Sequence, residues 1–310
     1  MNCPLCKSKQ TIKKGFRKTR YSMNQRYYCK ECKKYFSDSP IKQKVYLPHV
    51  IFDAINFYNT GHDIRQVSKQ LNSKYKIKTS KSIIHNWIHE YQNICPISSN
   101  RKQFLDDETI IFSKKFQHEN LDYIFKYHKY KLKTLTQKNF SSLYRYIKRF
   151  ETGCPDVFFE VGKRCSTPSY RINIKARKTR NLACDMTRFA IKSARNNFKR
   201  HDSVEQFMLI NDKASIACEI PVWYYEKRIN SGVTGHIDIL QVRNNHVYIL
   251  DYKPDAAKNS KAAGQLYHYA LALSFRAKIP MDHIRCAWFD EDDYFEYAPL
   301  QIKVKLKIKP

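Results

Sequence analysis

The sequence predicts a multidomain chain: a small metal-held ribbon, an all-α module of three helices, and an α/β core with a mixed sheet flanked by helices. Three observations predict it. Two Cys-x-x-Cys pairs fall within the first 32 residues, apolar residues recur at helical spacing from about 45 to 95, and strand-like runs gather between about 150 and 310. The corresponding segments are 1–44, 45–95, a linker or helical region over 96–150, and 151–310.

With 310 residues, 42% of them hydrophobic and 14% aromatic, the chain can bury real cores in two or three domains. Lys and Arg number 57 against 28 Asp and Glu, a formal charge of +29. An excess of that size pairs most readily with a polyanion, so nucleic acid is the expected partner. No stretch reaches the ~18 uninterrupted apolar residues of a membrane span. The start, "MNCPLCKSKQ", lacks the apolar run of a secretory signal. A cytoplasmic protein that does not engage a membrane is expected. Four of the ten cysteines form the two pairs and the other six are scattered, which argues for one metal site and free thiols, not a disulfide framework.

In the first segment, Cys3-Pro-Leu-Cys6 and Cys29-Lys-Glu-Cys32 are separated by 22 residues. Four thiolates at this spacing can close a tetrahedron around Zn²⁺. So small and polar a segment cannot fold on apolar contacts alone, and the metal would supply the folding free energy. Short strands at Thr11-Ile12, Arg26-Tyr27-Tyr28 and Tyr35-Phe36 complete the pattern of a zinc ribbon.

The second segment reads as three helices. Pro48 opens one carrying Val50, Ile51, Ala54, Ile55 and Tyr58, and Gly61 ends it; Asp63 caps a second with Ile64, Val67 and Leu71; Thr79 or Ser80 caps a third with Ile83, Ile84, Trp87, Ile88 and Tyr91. This is a helix-turn-helix pattern, and a plain three-helix packing module is the alternative. As a recognition helix the third would offer Lys81, Ser82, His85, Asn86 and His89 to a DNA groove. The Cys-Pro-x-Cys ribbon followed by "HDIRQVSKQLNSKYKIKTSKSIIHNWIHEY" resembles the amino-terminal DNA-binding region of InsA-like insertion-sequence transposases, over roughly residues 1 to 95. The resemblance implies DNA recognition, with an element end as the target and a mobile element or virus as the setting. It does not extend to a transposase core, because no Asp, Asp, Glu triad in an RNase-H-like order follows. After it, "CPISSNRKQF" reads as a linker, Pro96 and Ser-Ser-Asn breaking the helix.

In the last segment, "ASIACEIPVWYYE" is a strand with Glu219, "TGHIDILQV" a second with Asp238, and "HVYILDYKP" a third with Asp251 and Lys253, the latter two strands flanking an Asn-Asn turn. "AAGQLYHYALALSF" is a helix with Gln265 and Tyr269 one turn apart. Two carboxylates at adjacent strand ends are hard oxygen ligands suited to Mg²⁺, and Lys253 shares a strand face with Asp251 because side chains alternate. Such a Lys can orient a water or stabilise charge on a phosphate. Taken singly, these residues also suit a buried ion pair, a solvated strand end and an ordinary helix surface.

"GHIDIL", "ILDYKP" and "GQLYHYALAL" together resemble the RecB-like branch of the PD-(D/E)xK nucleases, including CRISPR-associated members, over roughly residues 150 to 300. The resemblance implies a restriction-endonuclease-like core and metal-dependent hydrolysis of DNA phosphodiesters. It makes Asp238, Asp251 and the Tyr252 carbonyl ligands of Mg²⁺ or Mn²⁺, and gives Lys253 the attacking water. Gln265 and Tyr269 brace the site, Glu219 matches an acidic position in the preceding strand, and His201 in "FKRHDS" matches an upstream His ligand. Pro254-Asp255 stands where the branch often has Thr-Gly. Some relatives hold an iron–sulfur cluster through late cysteines; only Cys286 follows Asp251 here, so no cluster is expected.

Between 171 and 200, ten Lys or Arg face one acid, Asp185. Arg177, Lys178, Arg180, Arg188, Lys192 and Arg195 are either a solvated face or contacts to the DNA backbone. The reading is a metal-dependent deoxyribonuclease targeted by its amino-terminal region. The alternative is a non-cleaving DNA-binding regulator or transposase-related protein of a mobile element.

Overall fold

The computed structural model describes residues 2–18, 23–37, 46–105, 110–118, 121–159, 162–167, 170–173, 177–179, 181–194 and 199–306. Strands β1 (Thr11–Lys18), β2 (Met23–Cys29) and β3 (Tyr35–Ser37) form a small antiparallel sheet in the order β1-β2-β3. It buries little besides Cys3 and Cys29, as expected of a segment whose cohesion must come from its sulfurs.

Helices α1 (Pro48–Asn59), α2 (Ile64–Tyr75) and α3 (Lys81–Glu90) follow the sequence signals closely. Pro48 opens α1; Asp63 caps α2 in a capping box with Gln66; Ser80 caps α3 by accepting from the Ile83 amide. The buried residues Ile55, Val67, Leu71, Ile84 and Trp87 lie on the predicted apolar faces.

The segment expected to link modules does more than connect. Cys95 and Ile97 are fully buried and Ser98 bonds Asn59 (3.0 Å), so the chain after α3 packs instead of trailing through solvent. Strands β4 (Ile111–His118) and β5 (Leu121–His128) then join the main sheet, followed by α4 (Lys129–Thr136), α5 (Ser141–Arg149) and the short α6 (Asp156–Phe159). Their alternation is masked in the sequence by lysines: Phe116 and Phe125 are buried on one face, where Lys114 also lies, while Lys115 is exposed on the other.

The rest of the chain runs β6 (Lys163–Arg164), β7 (Tyr170–Asn173), β8 (Arg177–Thr179), α7 (Leu182–Ser193), α8 (Arg200–Asn211), β9 (Ser215–Glu226), β10 (Ser231–Arg243), β11 (His246–Tyr252), α9 (Ala262–Ala277), β12 (Ile284–Phe289), β13 (Tyr294–Tyr297) and β14 (Lys303–Leu306). The nine-stranded sheet has the order β4-β5-β9-β10-β11-β12-β13-β8, with β6 beside β10. It is mixed: β11 and β12 are parallel, as are β6 and β10, and the other pairs are antiparallel. Asn244 and Asn245 both take positive φ (50° and 56°), the geometry of a two-residue turn that keeps β10 and β11 in register. Helix α9 covers one face of the sheet and joins its core there, whereas α7 and α8 pack on the other with α1.

Candidate active site

Helix α8, strands β9 and β10, and helix α9 deliver polar residues to one cleft of about 470 Å³, and β11 brings the Tyr252 carbonyl and amide against His201 and Asp238 of that cleft. His201 comes from the first turn of α8. Its Nδ1 lies 3.0 Å from Glu205 Oε1, its Nε2 3.1 Å from the Tyr252 carbonyl oxygen and 3.5 Å from Asp238 Oδ2. Both ring nitrogens face acceptors. Burial opposes charge on this imidazole, yet Asp238 and Glu205 outweigh it and push the group up to about 10.

Asp238 is nearly buried and accepts from the Tyr252 amide (3.2 Å). Asp251, directly before Tyr252, is fully buried; Lys253 Nζ is 2.9 Å from its Oδ1, but neither carboxylate oxygen receives a well-aligned hydrogen bond. Burial first and the neighbouring Asp238 second raise the Asp251 carboxyl well above the usual range. Lys253 is held above its ordinary value, because Asp251 and Asp238 overcome the effect of burial.

Glu219 lies across from Asp238, between the paired positions Cys218–Ile239 and Ile220–Ile237. Its φ of +53° places it in the left-handed region, a conformation that costs a non-glycine residue about 1–3 kcal/mol and tends to persist where function demands it. Burial, Glu205 and then Asp238 raise its carboxyl well above normal. Four carboxyl groups thus crowd together with His201 and Lys253, and that crowding disfavours the ionised forms of Glu205, Glu219 and Asp251. Crowded carboxyl groups, with the unbonded oxygens of Asp251, fit a site completed by a divalent cation.

The glycine of "GHIDIL" has a steric reason. A Cβ on Gly235 would lie 2.7 Å from Tyr269 Cε1 and 3.0 Å from Cys165 Sγ, so β10 must be bare there for α9 to approach. Gln265 donates to the Tyr269 hydroxyl at 2.8 Å, joining the two residues expected to brace the site.

The structure brings together His201, Asp238, the Tyr252 carbonyl, Glu219, Lys253, Gln265 and Tyr269, with Asp251 beside Asp238. Candidate ligand atoms of His201, Glu205 and Asp238 lie within 4.8 Å of one another. Glu205 was missed by sequence reasoning, although its i,i+4 spacing from His201 on one helix was a usable signal. Also missed were His236, Tyr123 and Arg164 on the cleft wall. Tyr123 stacks on His236 (centroids 3.6 Å apart, planes 8° apart), and Arg164 donates to the Tyr123 hydroxyl. Tyr123 comes from β5, in a segment whose strands the sequence concealed.

The other candidate metal site is the cysteine cluster. Cys3, Cys6, Cys29 and Cys32 place their sulfurs within 4.8 Å of one another, with Cys3–Cys32 at 3.6 Å and Cys6–Cys29 at 3.5 Å. These separations are far from the ~2.05 Å of a disulfide. Four thiolates so arranged could hold a structural zinc.

On α3, Lys81, Ser82, His85, Asn86 and His89 are all exposed on one side, opposite buried Ile84 and Trp87. Two of the other basic candidates meet acids on the surface. Lys178 pairs with Asp293 (2.5 Å), and Arg188 pairs with Asp185 (2.8 Å) and Asp292 (3.2 Å) while also donating to the Glu291 carbonyl. Acids of the β12–β13 connection, distant in sequence, claim these two cations. Lys192 is exposed on α7. The Arg177 side chain, Arg180 and Arg195 lie outside the described residues. No described helix is long and apolar enough to cross a membrane.

No protein-family model, curated protein or solved structure matches this chain.

Proposed function

We propose that the chain is a Mg²⁺- or Mn²⁺-dependent deoxyribonuclease of the PD-(D/E)xK type, whose zinc ribbon and helix-turn-helix select the DNA it cuts. The observation that carries this reading is Asp251: a fully buried carboxylate with no aligned hydrogen-bond donor, beside Asp238 and 2.9 Å from a lysine ammonium. A structural ion pair has no need of the further carboxylates Glu205 and Glu219 or of His201 in the same place.

Asp238, Asp251, the Tyr252 carbonyl and His201 would hold the cation, with Glu205 accepting the Nδ1 proton of His201 so that Nε2 is the ligating atom. Bound there, a divalent cation acts as a Lewis acid toward a phosphoryl oxygen and lowers the pKa of water. The protein's own part is to place charge and exclude solvent. Lys253, anchored by Asp251, orients the attacking water and offers positive charge to the phosphate as its negative charge grows. The Gln265–Tyr269 pair forms the wall against which the scissile strand rests. The net charge of +29 supplies affinity through counterion release, so binding weakens steeply with salt.

The test is incubation of the full-length chain with labelled linear, circular and single-stranded DNA, with and without Mg²⁺ or Mn²⁺. Cation-dependent hydrolysis that Asp251→Asn abolishes is expected. DNA left intact under every condition, or cut equally by the variant, would refute the assignment.

A further inference from the structure

We infer that this chain cuts duplex DNA at a fixed displacement from the bases it reads, within about one helical turn of them. The inference rests on the nuclease reading above and adds to it the mode of action, because the reading helix and the metal site share one packed core.

Helix α1 of the three-helix module sets Phe52 against Phe207 of α8 (5.1 Å) and Phe189 of α7 (6.3 Å), while Tyr91, directly after α3, packs on Phe189 (4.7 Å). The polar contacts agree. Asn211 at the end of α8 donates to Asn56 (2.8 Å) and accepts from Asn59 (2.6 Å), both on α1, and Asn59 also holds Ser98 in the chain leaving α3. Cys95 and Ile97 are fully buried, so the connection out of the module is part of the core and not a free tether. Helix α8 carries His201 and Glu205. The ring of Tyr252, whose carbonyl faces the site, lies in the same apolar cluster as Ile51, Ile55 and Trp87.

Short distances set the displacement. Helix α8 rises about 9 Å from His201 to Phe207 at ~1.5 Å per residue. Phe207 to Phe189 adds 5.1 Å and Phe189 to Tyr91 adds 4.7 Å. Helix α3 itself spans about 15 Å. With side-chain reach, the exposed residues Lys81, Ser82, His85 and Asn86 lie on the order of 40 Å or less from the site, roughly twelve base pairs at ~3.4 Å each. A flexible Gly/Ser tether would spread the cut positions over its own end-to-end distribution; buried aromatic contacts and amide hydrogen bonds do not.

The experiment uses the full chain. Duplexes retained by the Asp251→Asn protein from a randomised pool are sequenced for a common motif. The motif is then placed at two positions, about half a turn apart, in an otherwise constant duplex, and the ends made by the parent protein with Mn²⁺ are mapped. Ends at one displacement that move with the motif are expected. Ends scattered over more than a turn, or counted inward from the DNA terminus, would overturn the coupling while leaving cation-dependent hydrolysis standing. A selection that yields no motif would overturn it as well. Absence of hydrolysis on every DNA tested would instead remove the nuclease reading, and this inference with it.

Discussion

Replacing Asp251 by Asn separates a metal site from an ion-pair core by the sign of a stability change. The side chain is fully buried, raised well above the usual carboxylate range by burial and Asp238, and its oxygens lack aligned donors. Asn keeps its shape and cannot take the negative charge that burial and Asp238 disfavour. If the cluster exists to hold a cation, relief of repulsion offsets loss of the Lys253 contact, and the variant without added divalent cation melts at or above the parent. If the cluster is a structural ion pair, breaking it leaves Lys253 uncompensated and costs about 3–5 kcal/mol. At roughly 2–4 °C per kcal/mol for a chain of this size class, the second case lowers Tm by about 6–20 °C.

Cation binding gives a second readout. A cation at about a hundred times its Kd stabilises the folded state by about 2.7 kcal/mol, which raises the parent Tm by about 5–10 °C. The assay is thermal unfolding of both proteins, zinc retained, across a Mn²⁺ titration, beside cleavage of labelled DNA. Asp251→Asn should lose most of the Mn²⁺-dependent rise and all cleavage. A variant that collapses without cation, or gains as much from Mn²⁺ as the parent does, would defeat the reasoning.

Four further outcomes follow from the same structure. Elemental analysis of the full chain should find about one zinc, and Cys29→Ser should lose it, because the four sulfurs converge with few apolar residues to hold them. Gly235→Ala should reduce cleavage and cost about 1–3 kcal/mol by thermal melting, since its Cβ would meet Tyr269 at 2.7 Å; parent-like activity would show that the Tyr269 position is not critical. Asn86→Ala should weaken binding to the preferred duplex more than to random DNA in salt-matched titrations, whereas equal losses would remove base reading from α3. Lys131 is fully buried, donates to the Leu209 and Asp212 carbonyls at the end of α8, and is pushed down to about 7 by burial. Between about 7 and an unfolded value near 10.4 the unfolded chain binds the extra proton, so this group adds stability as pH rises through that window and loses it as pH falls toward 7. Lys131→Met should flatten that slope in denaturant titrations and lower stability by about 1–3 kcal/mol, through the carbonyls left unpaired.

How legible these features were depended on whether the signal was local. The α1 to α3 boundaries were readable because each is set by a residue acting within one turn: Pro48, Asp63 with Gln66, and Ser80. The β10–β11 turn was readable because two adjacent Asn residues tolerate positive φ. Strands β4 and β5 were hidden, since lysines interrupt their apolar alternation and β5 joins the main sheet through β9, some ninety residues away. The ion pairs of Lys178 and Arg188 were hidden because their partners, Asp293 and Asp292, lie more than a hundred residues downstream.

The site divides along the same line, and Glu205 shows where. Asp238, Asp251, Lys253, Gln265 and Tyr269 are spaced by strand alternation and by one helical turn, periods that a sequence states directly. Glu205 is also one turn from His201, yet its helix is "RHDSVEQFMLIN", in which polar and apolar residues fall on all sides. The reason is its surroundings: α8 is packed by α1 and α7 on one flank and by the sheet on another, so nearly every position from Val204 onward is buried. A helix enclosed in this way shows no amphipathic contrast to mark its functional face. Within it, a buried glutamate is improbable unless something charged meets it. Here the His201 ring at 3.0 Å does, and together with Asp238 that contact places Glu205 in the candidate site and not in the core around it.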